Sequence, residues 1–465
     1  MEQIAVRLED RFRLLTGGPR TGLPHHQTLR AALDWGYDLL DDGERALFRR
    51  VAVFAAGFTL EAAEDVCAGG SIEPDQVLDL LGRLTDKSLV IVETTTAAEA
   101  RYRLLETVRQ YGLERLQYAG ETAAVRDRHR DHFLRLAERA ELELQGPRQK
   151  EWLDRLEADH DNLRAALDWS RSSPGSGGVA LRLAGALWWF WEIRGYWVEG
   201  RRWLDDLLAR TEEPTTVTRI KALNAAASLA LKQGDFTQAE RFATRSLELS
   251  REIGDKRGAA SCLVILGVRA CRLEDYGKAE ALSGEGLSLS RETGDNFATA
   301  WAQAILGIVA RAKGEQERAA SLLEESLVRT RALGHQWGAA AVLLNLGLLA
   351  WDRGDTARAQ ASLGEALGIF QQLGDKSYIA YTELNLGIIA ATLGDFERAR
   401  SLYHQCLEMR RDLEEKRGIV TCLGRPRMCR RRVGGIPAGR GIVRRLRRPA
   451  SGRWRCHSGT VQRGV

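Results

Sequence analysis

Seven cysteines are scattered through 465 residues, and no two of them stand as CxxC. An odd, unpatterned set argues against a disulfide framework and for reduced thiols in a cytoplasmic setting. No long apolar run is present. The strongest, around LRLAGALWWFWEI, is broken by charge and too short to span a bilayer. The first residues show neither a basic n-region nor an apolar h-region, so no signal peptide is expected. GxSxG, HExxH, GxGxxG and GxxxxGK followed by Ser or Thr are all missing. Serine-hydrolase, zinc-protease, dinucleotide and P-loop chemistry therefore have no motif to stand on, and no enzyme activity or cofactor is expected. His129 and His132 share a helical face near Asp131, but no third ligand is suggested, so a solvated charged helix is expected there rather than a metal site. Cys422, Cys429, Cys456 and His457 lack zinc-finger spacing.

The charge balance divides the chain. The formal net charge is +5, yet residues 424–465 hold 13 Arg with no Lys, Asp or Glu. Taking those 13 from the 68 basic residues leaves 55 against 63 acidic ones, so residues 1–423 are acidic overall. That disfavours a broad nucleic-acid footprint on the body.

What is present is a period of 40. Leu266-Gly267, Leu306-Gly307, Leu346-Gly347 and Leu386-Gly387 fall into register, with Ala226-Ala227 one step earlier. Twelve residues after the Gly column comes Ala, at 239, 279, 319, 359 and 399. Leu247, Leu287, Leu327, Leu367 and Leu407 form another column. Turn signals separate them at Gly234-Asp235, Glu274-Asp275, Gly314-Glu315, Gly354-Asp355 and Gly394-Asp395, and again at Gly254-Asp255, Gly294-Asp295, Gly334-His335 and Gly374-Asp375. Each unit reads as two helices joined by turns, with the small residues where the helices approach closely. One such pair cannot bury its apolar face alone, so stacked copies build a continuous core.

This pattern resembles the tetratricopeptide repeat, whose usual unit is 34 residues. The additional length is expected in the second helix and its turn. A degenerate pair, LRLAGALWWFWEIRGYWVEGRRWLDDLL, precedes the array, with Gly195 at its turn and Gly200 in the Ala column. The resemblance places function on the concave face, lined by the first helix of each pair. Counting from the Gly column puts Lys232, Arg272, Trp301, Ile308, Arg311, Leu348, Trp351, Tyr381 and Ile388 there. Aromatic and aliphatic side chains of this kind suit a protein or peptide partner, or a small inducer.

Residues 23–118 read as helices followed by a β-hairpin, which is a winged helix. Asp41 or Asp42 is placed to cap the second helix and Thr59 the third. The stretch VRLEDRFRLLTGGPRTGLPHHQTLRAALDWGYDLLDDGERALFRRVAVFAAGFTLEAAEDVC resembles the winged-helix segment that follows the ATPase module of bacterial STAND regulators. These are NB-ARC-type signalling ATPases, many of them transcription regulators, that end in tetratricopeptide arrays. The resemblance implies a winged helix acting within the molecule, between ATPase and sensor. The chain departs from the family at the nucleotide. The string Gly17 to Gly22 lacks the Lys and Ser/Thr of a phosphate loop, and Leu105 and Glu106 stand where the family's winged-helix His and Asp contact nucleotide. Arg83 and Lys87 face Asp75, Asp79 and Asp86 across residues 74–88, a balance that disfavours DNA recognition.

The expected organisation is a mostly α chain: 1–22 the end of an ATPase module, 23–118 a winged helix, 119–178 a helical linker, 179–213 a degenerate repeat, 214–423 the superhelical array, and 424–465 the Arg-rich tail. The tail interrupts the repeat inside a helix, where Pro426-Arg427 replaces the next Leu-Gly. Its composition is what GC-rich coding DNA gives out of frame, so a shifted reading frame is expected. The alternative is an Arg-rich arm that binds nucleic acid, alone or with the winged helix.

Overall fold

The computed structural model describes residues 24–94, 100–173, 175–210 and 216–413, without the side chains of 24–29 and Thr94. The expectations for residues 1–22, including the Gly17–Gly22 string, and for the Arg-rich tail lie outside them.

The described residues begin with α1 (Pro24–Asp38) and α2 (Asp42–Val51). Asp41 caps α2 through a capping box: its side chain accepts from Glu44 N at 2.7 Å while Glu44 Oε2 accepts from Asp41 N at 2.9 Å. Thr59 caps α3 (Leu60–Cys67) by accepting from Ala62 N. A short 3₁₀ turn, Pro74–Gln76, leads into α4 (Val77–Asp86). The hairpin β2 (Ile91–Thr94) and β3 (Ala100–Arg103) follows. It gains a third strand that periodicity does not reveal, β1 (Phe58–Thr59), pairing with β3 so that the antiparallel order is β1-β3-β2. Two residues are too few to carry an alternating pattern. The pairing is held from the side by Phe58, stacked on Phe54 at 4.4 Å and beside Tyr102 at 5.9 Å. Helix α5 (Glu106–Tyr118) closes this unit, with Tyr111 buried against it.

Helices α6 (Thr122–Glu143), α7 (Gln149–Ala158) and α8 (His160–Ser172) connect it to the array. Asn162 on α8 is fully buried and fastens the join: its Oδ1 accepts from Ala55 N at 2.8 Å and its Nδ2 donates to Gly57 O at 3.0 Å. The degenerate repeat is broken in its first half into α9 (Gly177–Ala186) and α10 (Trp188–Arg194), then turns at Gly195 into α11 (Trp197–Arg210).

Five helix pairs follow: α12 (Val217–Gln233) and α13 (Phe236–Glu252), α14 (Lys256–Arg272) and α15 (Tyr276–Glu292), α16 (Asn296–Lys313) and α17 (Gln316–Ala332), α18 (Gln336–Asp352) and α19 (Thr356–Leu373), α20 (Lys376–Thr392) and α21 (Phe396–Asp412). All are 17 or 18 residues long. The extension beyond a 34-residue unit is therefore not confined to the second helix, as expected from the sequence, but shared between equal halves. The turns are alike for the same reason. Each has one residue with positive φ, followed by an N-cap residue that in most copies is Asp. At one turn the left-handed residue is Glu274, φ 63°, instead of Gly.

The Gly column sits where paired helices touch. A Cβ on Gly307 would lie 2.7 Å from Leu323 Cγ, on Gly347 2.9 Å from Leu363 Cγ, and on Gly387 2.7 Å from a Tyr403 ring carbon. The fully buried Ala319 and Ala359 stand at the same crossings.

Gly307→Val is expected to lower stability by about 2 kcal/mol through overpacking. Glu274→Gly is expected to raise it by about 0.5–1 kcal/mol by relieving the left-handed backbone. Urea midpoints at unchanged helical content check both.

Candidate functional site

Each first helix of a pair is flanked by second helices, which leaves one stripe partly open at i, i+4, i+7 and i+11. In α14 this is Ser261, Ile265, Val268 and Arg272. One column of the stripe is apolar across four repeats: Val268, Ile308, Leu348 and Ile388, of which Leu348 is buried and the others half-buried. Trp351 and Tyr381 border this ridge, each partly packed on the core. Two cations from the sequence-based set are tethered. Arg272 donates to Leu231 O at 3.2 Å, and Arg311 pairs with Asp352 at 2.9 Å.

Lys232 and Trp301 have different surroundings, because the superhelix comes round upon itself. Helix α10 lies against the starts of α16 and α18. The Trp189 ring sits 6.2 Å from Trp301, 5.3 Å from Trp337 and 5.7 Å from His335. Gln149, fully buried, accepts from Trp337 N at 2.8 Å, joining residues 188 apart in sequence. Beside these rings lies a buried charged cluster. Lys232 Nζ is 3.3 Å from Glu192 Oε1 and 4.5 Å from the centre of the Tyr378 ring. Its attraction to Glu192 is electrostatic, since the pair is not aligned for a hydrogen bond. Asp375 Oδ2 accepts from Trp337 Nε1 at 2.8 Å. Burial raises the Glu192 and Asp375 pKa values, opposed by Lys232 in both cases. For Lys232, burial lowers the pKa, but Glu192, Tyr378 and Asp375 outweigh it and hold the ammonium charged. Glu192, Trp189 and Trp337 escape a reading by columns, and Asp375 enters it only as a turn residue, because a contact between distant repeats leaves no periodic trace. The run WWFWEI, too aromatic for an exposed helix, is the signal that could have found them.

His335 replaces Asp as the cap of α18. Its Nδ1 accepts from Gly338 N at 2.9 Å, which leaves the proton on Nε2. Burial lowers its pKa to about 4, so the ring is neutral.

In the winged helix, the cations of α4 are committed to its neighbour. Arg83 Nε donates to Glu44 Oε1 at 3.2 Å, and Lys87 pairs with the other oxygen of the same buried carboxylate. Burial pushes Glu44 up, but Lys87, the Asp41 backbone and Arg83 together hold it below the ordinary range. Phosphates would have to displace these partners. Leu105 is the exposed N-cap of α5, and Glu106 accepts from Arg109 and Gln110. His129 and His132 are not on a solvated face, as the sequence suggested. His129 is wedged among Phe54 and Phe133 and its pKa is lowered to about 3 by burial, while His132 Nδ1 is 2.8 Å from Asp65. Their acidic and basic neighbours in sequence hid an aromatic inner face. The described cysteines Cys67, Cys262, Cys271 and Cys406 are free thiols, and no described helix is long and apolar enough to cross a membrane.

The architecture is thus a winged helix followed by a superhelix of tetratricopeptide-like repeats. Comparison with known proteins agrees: residues 40–117 match the winged helix-turn-helix domain family, and residues 218–292 and 338–412 match the tetratricopeptide repeat family. Among curated relatives, the protein Rv0890c of Mycobacterium tuberculosis, named as an HTH-type transcriptional regulator, is 40% identical over 273 residues, covering 57% of this chain and 30% of its own. A second protein of that organism, the uncharacterised Rv0894, is 44% identical over 132 residues, 28% of this chain and 33% of its own. The chain spans about a third of the length of these relatives. Among solved structures, a STAND protein with a tetratricopeptide repeat sensor from Pyrococcus horikoshii overlaps 84% of this chain and 63% of its own, at 15% identity and TM-score 0.45. NprR in complex with its cognate peptide NprX overlaps 68% and 86%, at 12% identity and TM-score 0.46.

Lys232→Met would leave two buried carboxylates without their counter-charge. It is expected to cost about 3–5 kcal/mol, read as a lower urea midpoint. Glu383 tests the opposite case. It is buried with Oε2 unpartnered, and burial raises its pKa to about 7. A raised carboxylate pKa means stability falls as pH rises from the unfolded value toward 7. Glu383→Gln is therefore expected to raise the melting temperature at pH 8 and to leave it unchanged at pH 4.

Proposed function

We propose that this chain is the sensor portion of a signal-responsive transcriptional regulator of the STAND type. Its repeat array takes a protein or peptide along the inner face, and its winged helix holds the array against the module it serves. Neither domain type is catalytic, and the activity is binding. The observation that carries the reading is the apolar ridge of Val268, Ile308, Leu348 and Ile388, one residue per repeat on the partly open stripe. A ridge that crosses four repeats matches an elongated ligand rather than a compact one. The regulatory part of the reading is supported by the HTH-type relative and by the family resemblance of the amino-terminal segment. The winged helix is assigned an internal role because Arg83 and Lys87 already neutralise Glu44.

The test is to pan a random dodecapeptide phage library against the full chain and against the triple variant Ile308→Glu, Leu348→Glu, Ile388→Glu. Enrichment on the parent and at least tenfold less on the variant is expected, with both equally helical. No enrichment on the parent above bare support overturns the reading.

A further inference from the structure

The turns of the array are alike in backbone, but two of them touch another part of the chain. A Cβ built on Gly234, Gly254, Gly294, Gly314, Gly354 or Gly394 would meet nothing within 4 Å. On Gly334 it would lie 2.9 Å from Pro147 Cβ, and on Gly374 3.0 Å from Arg194 Nη1. With the Trp189 rings and Lys232 these contacts make one seam. Pro147, Gln149, Trp189, Glu192 and Lys232 form one lip. The starts of α18 and α20 form the other, with Trp301 beside them.

The seam is made of side chains rather than shared secondary structure. The hydrogen bonds across it run from Trp337 N to Gln149 Oε1 at 2.8 Å and from Gln336 Nε2 to Pro147 O at 3.5 Å. Lys232 Nζ faces the Tyr378 ring at 4.5 Å, an attraction with little directional demand. Three buried donors find no acceptor here: Trp189 Nε1, Lys232 Nζ and His335 Nε2. The closed seam thus leaves polar groups unmet. Opening gives each of them water, which offsets part of the aromatic surface exposed. The crossings inside each repeat are different, because there the fully buried Ala319 and Ala359 pack helix to helix. The seam is therefore the weak plane of the superhelix.

One element leads from this plane to the winged helix. Helix α7 begins at Gln149 and has 10 residues, about 15 Å of helix. Trp152, Leu153 and Leu156 bury its inner face. Beyond its last turn, Ala158 O and Asp159 Oδ1 accept from Arg101 Nη2 of β3 at 3.2 and 2.6 Å. Arg155 Nη2 donates to Glu61 Oε2 of α3 at 2.8 Å. The same short helix is bonded to the array at its first residue and to the winged helix at its other end.

We propose that the seam opens as a unit while the repeats stay folded, and that α7 carries its position to β3. The device is a conformational switch between array and winged helix, and it stands apart from the peptide reading above. Native-state hydrogen exchange of the full chain, in a series of low urea concentrations, tests it. Amides in the first two turns of α18, α20 and α7 are expected to share one opening, with protection at least tenfold below that of the middle of α14. Trp301→Ala removes a ring from the array's lip. It is expected to speed exchange in that set and in β3 by about threefold or more, and to leave mid-α14 unchanged. Trp301→Phe gives a smaller change in the same direction if the alanine variant does not fold. In an Arg101→Gln background, Trp301→Ala is expected to speed α7 but no longer β3. If the three segments share no opening short of global unfolding, the seam is not a switch. If Trp301→Ala speeds α7 and never β3 in the parent background, the relay through α7 is wrong.

Discussion

The close crossing of the two helices in each repeat is the constraint from which the rest follows. At Gly307, Gly347 and Gly387 there is no room for even one carbon beyond the backbone. The approach sets how closely the paired helices pack, and each unit repeats it with helices of nearly equal length. Five near-identical steps build the curvature, and the curvature returns the array to its own beginning. The inner stripe is open for the same reason: second helices cover the flanks of each first helix but not the line between them.

Capping divides the labour between turns and core. Asp at most N-caps meets the first unpaired backbone N–H groups, and the preceding left-handed residue ends the helix before it. The two departures are informative. Glu274 accepts an unfavourable backbone where Gly is the norm. His335 keeps the cap while adding a ring to the aromatic contact with Trp189. That ring belongs to the closure of the superhelix, which explains why an imidazole is useful where a carboxylate would face burial among indoles.

Much of this was legible in the sequence. Columns of Leu, Gly and Ala at a spacing of 40 announced the pairs, and Asp41 and Thr59 announced their caps, because these features depend on neighbours within one or two turns of chain. What the columns could not carry was everything that joins distant repeats. Trp301 and Lys232 satisfy the spacing of a groove residue, yet α10 lies over them. The burial of His129 was hidden by a run of charges that faces the other way.

The contact between Gln149 and Trp337 changes what kind of object the array is. An open solenoid unfolds like a zipper, losing end repeats one by one at little cost to the middle. Here the first turn of the coil leans on the fourth and fifth repeats, so fraying at the carboxyl end withdraws support from α7 and α10 as well. The superhelix thus behaves less like a spring with free ends than like a clasped ring, in which disturbance of the last two repeats is transmitted to the segment that adjoins the winged helix.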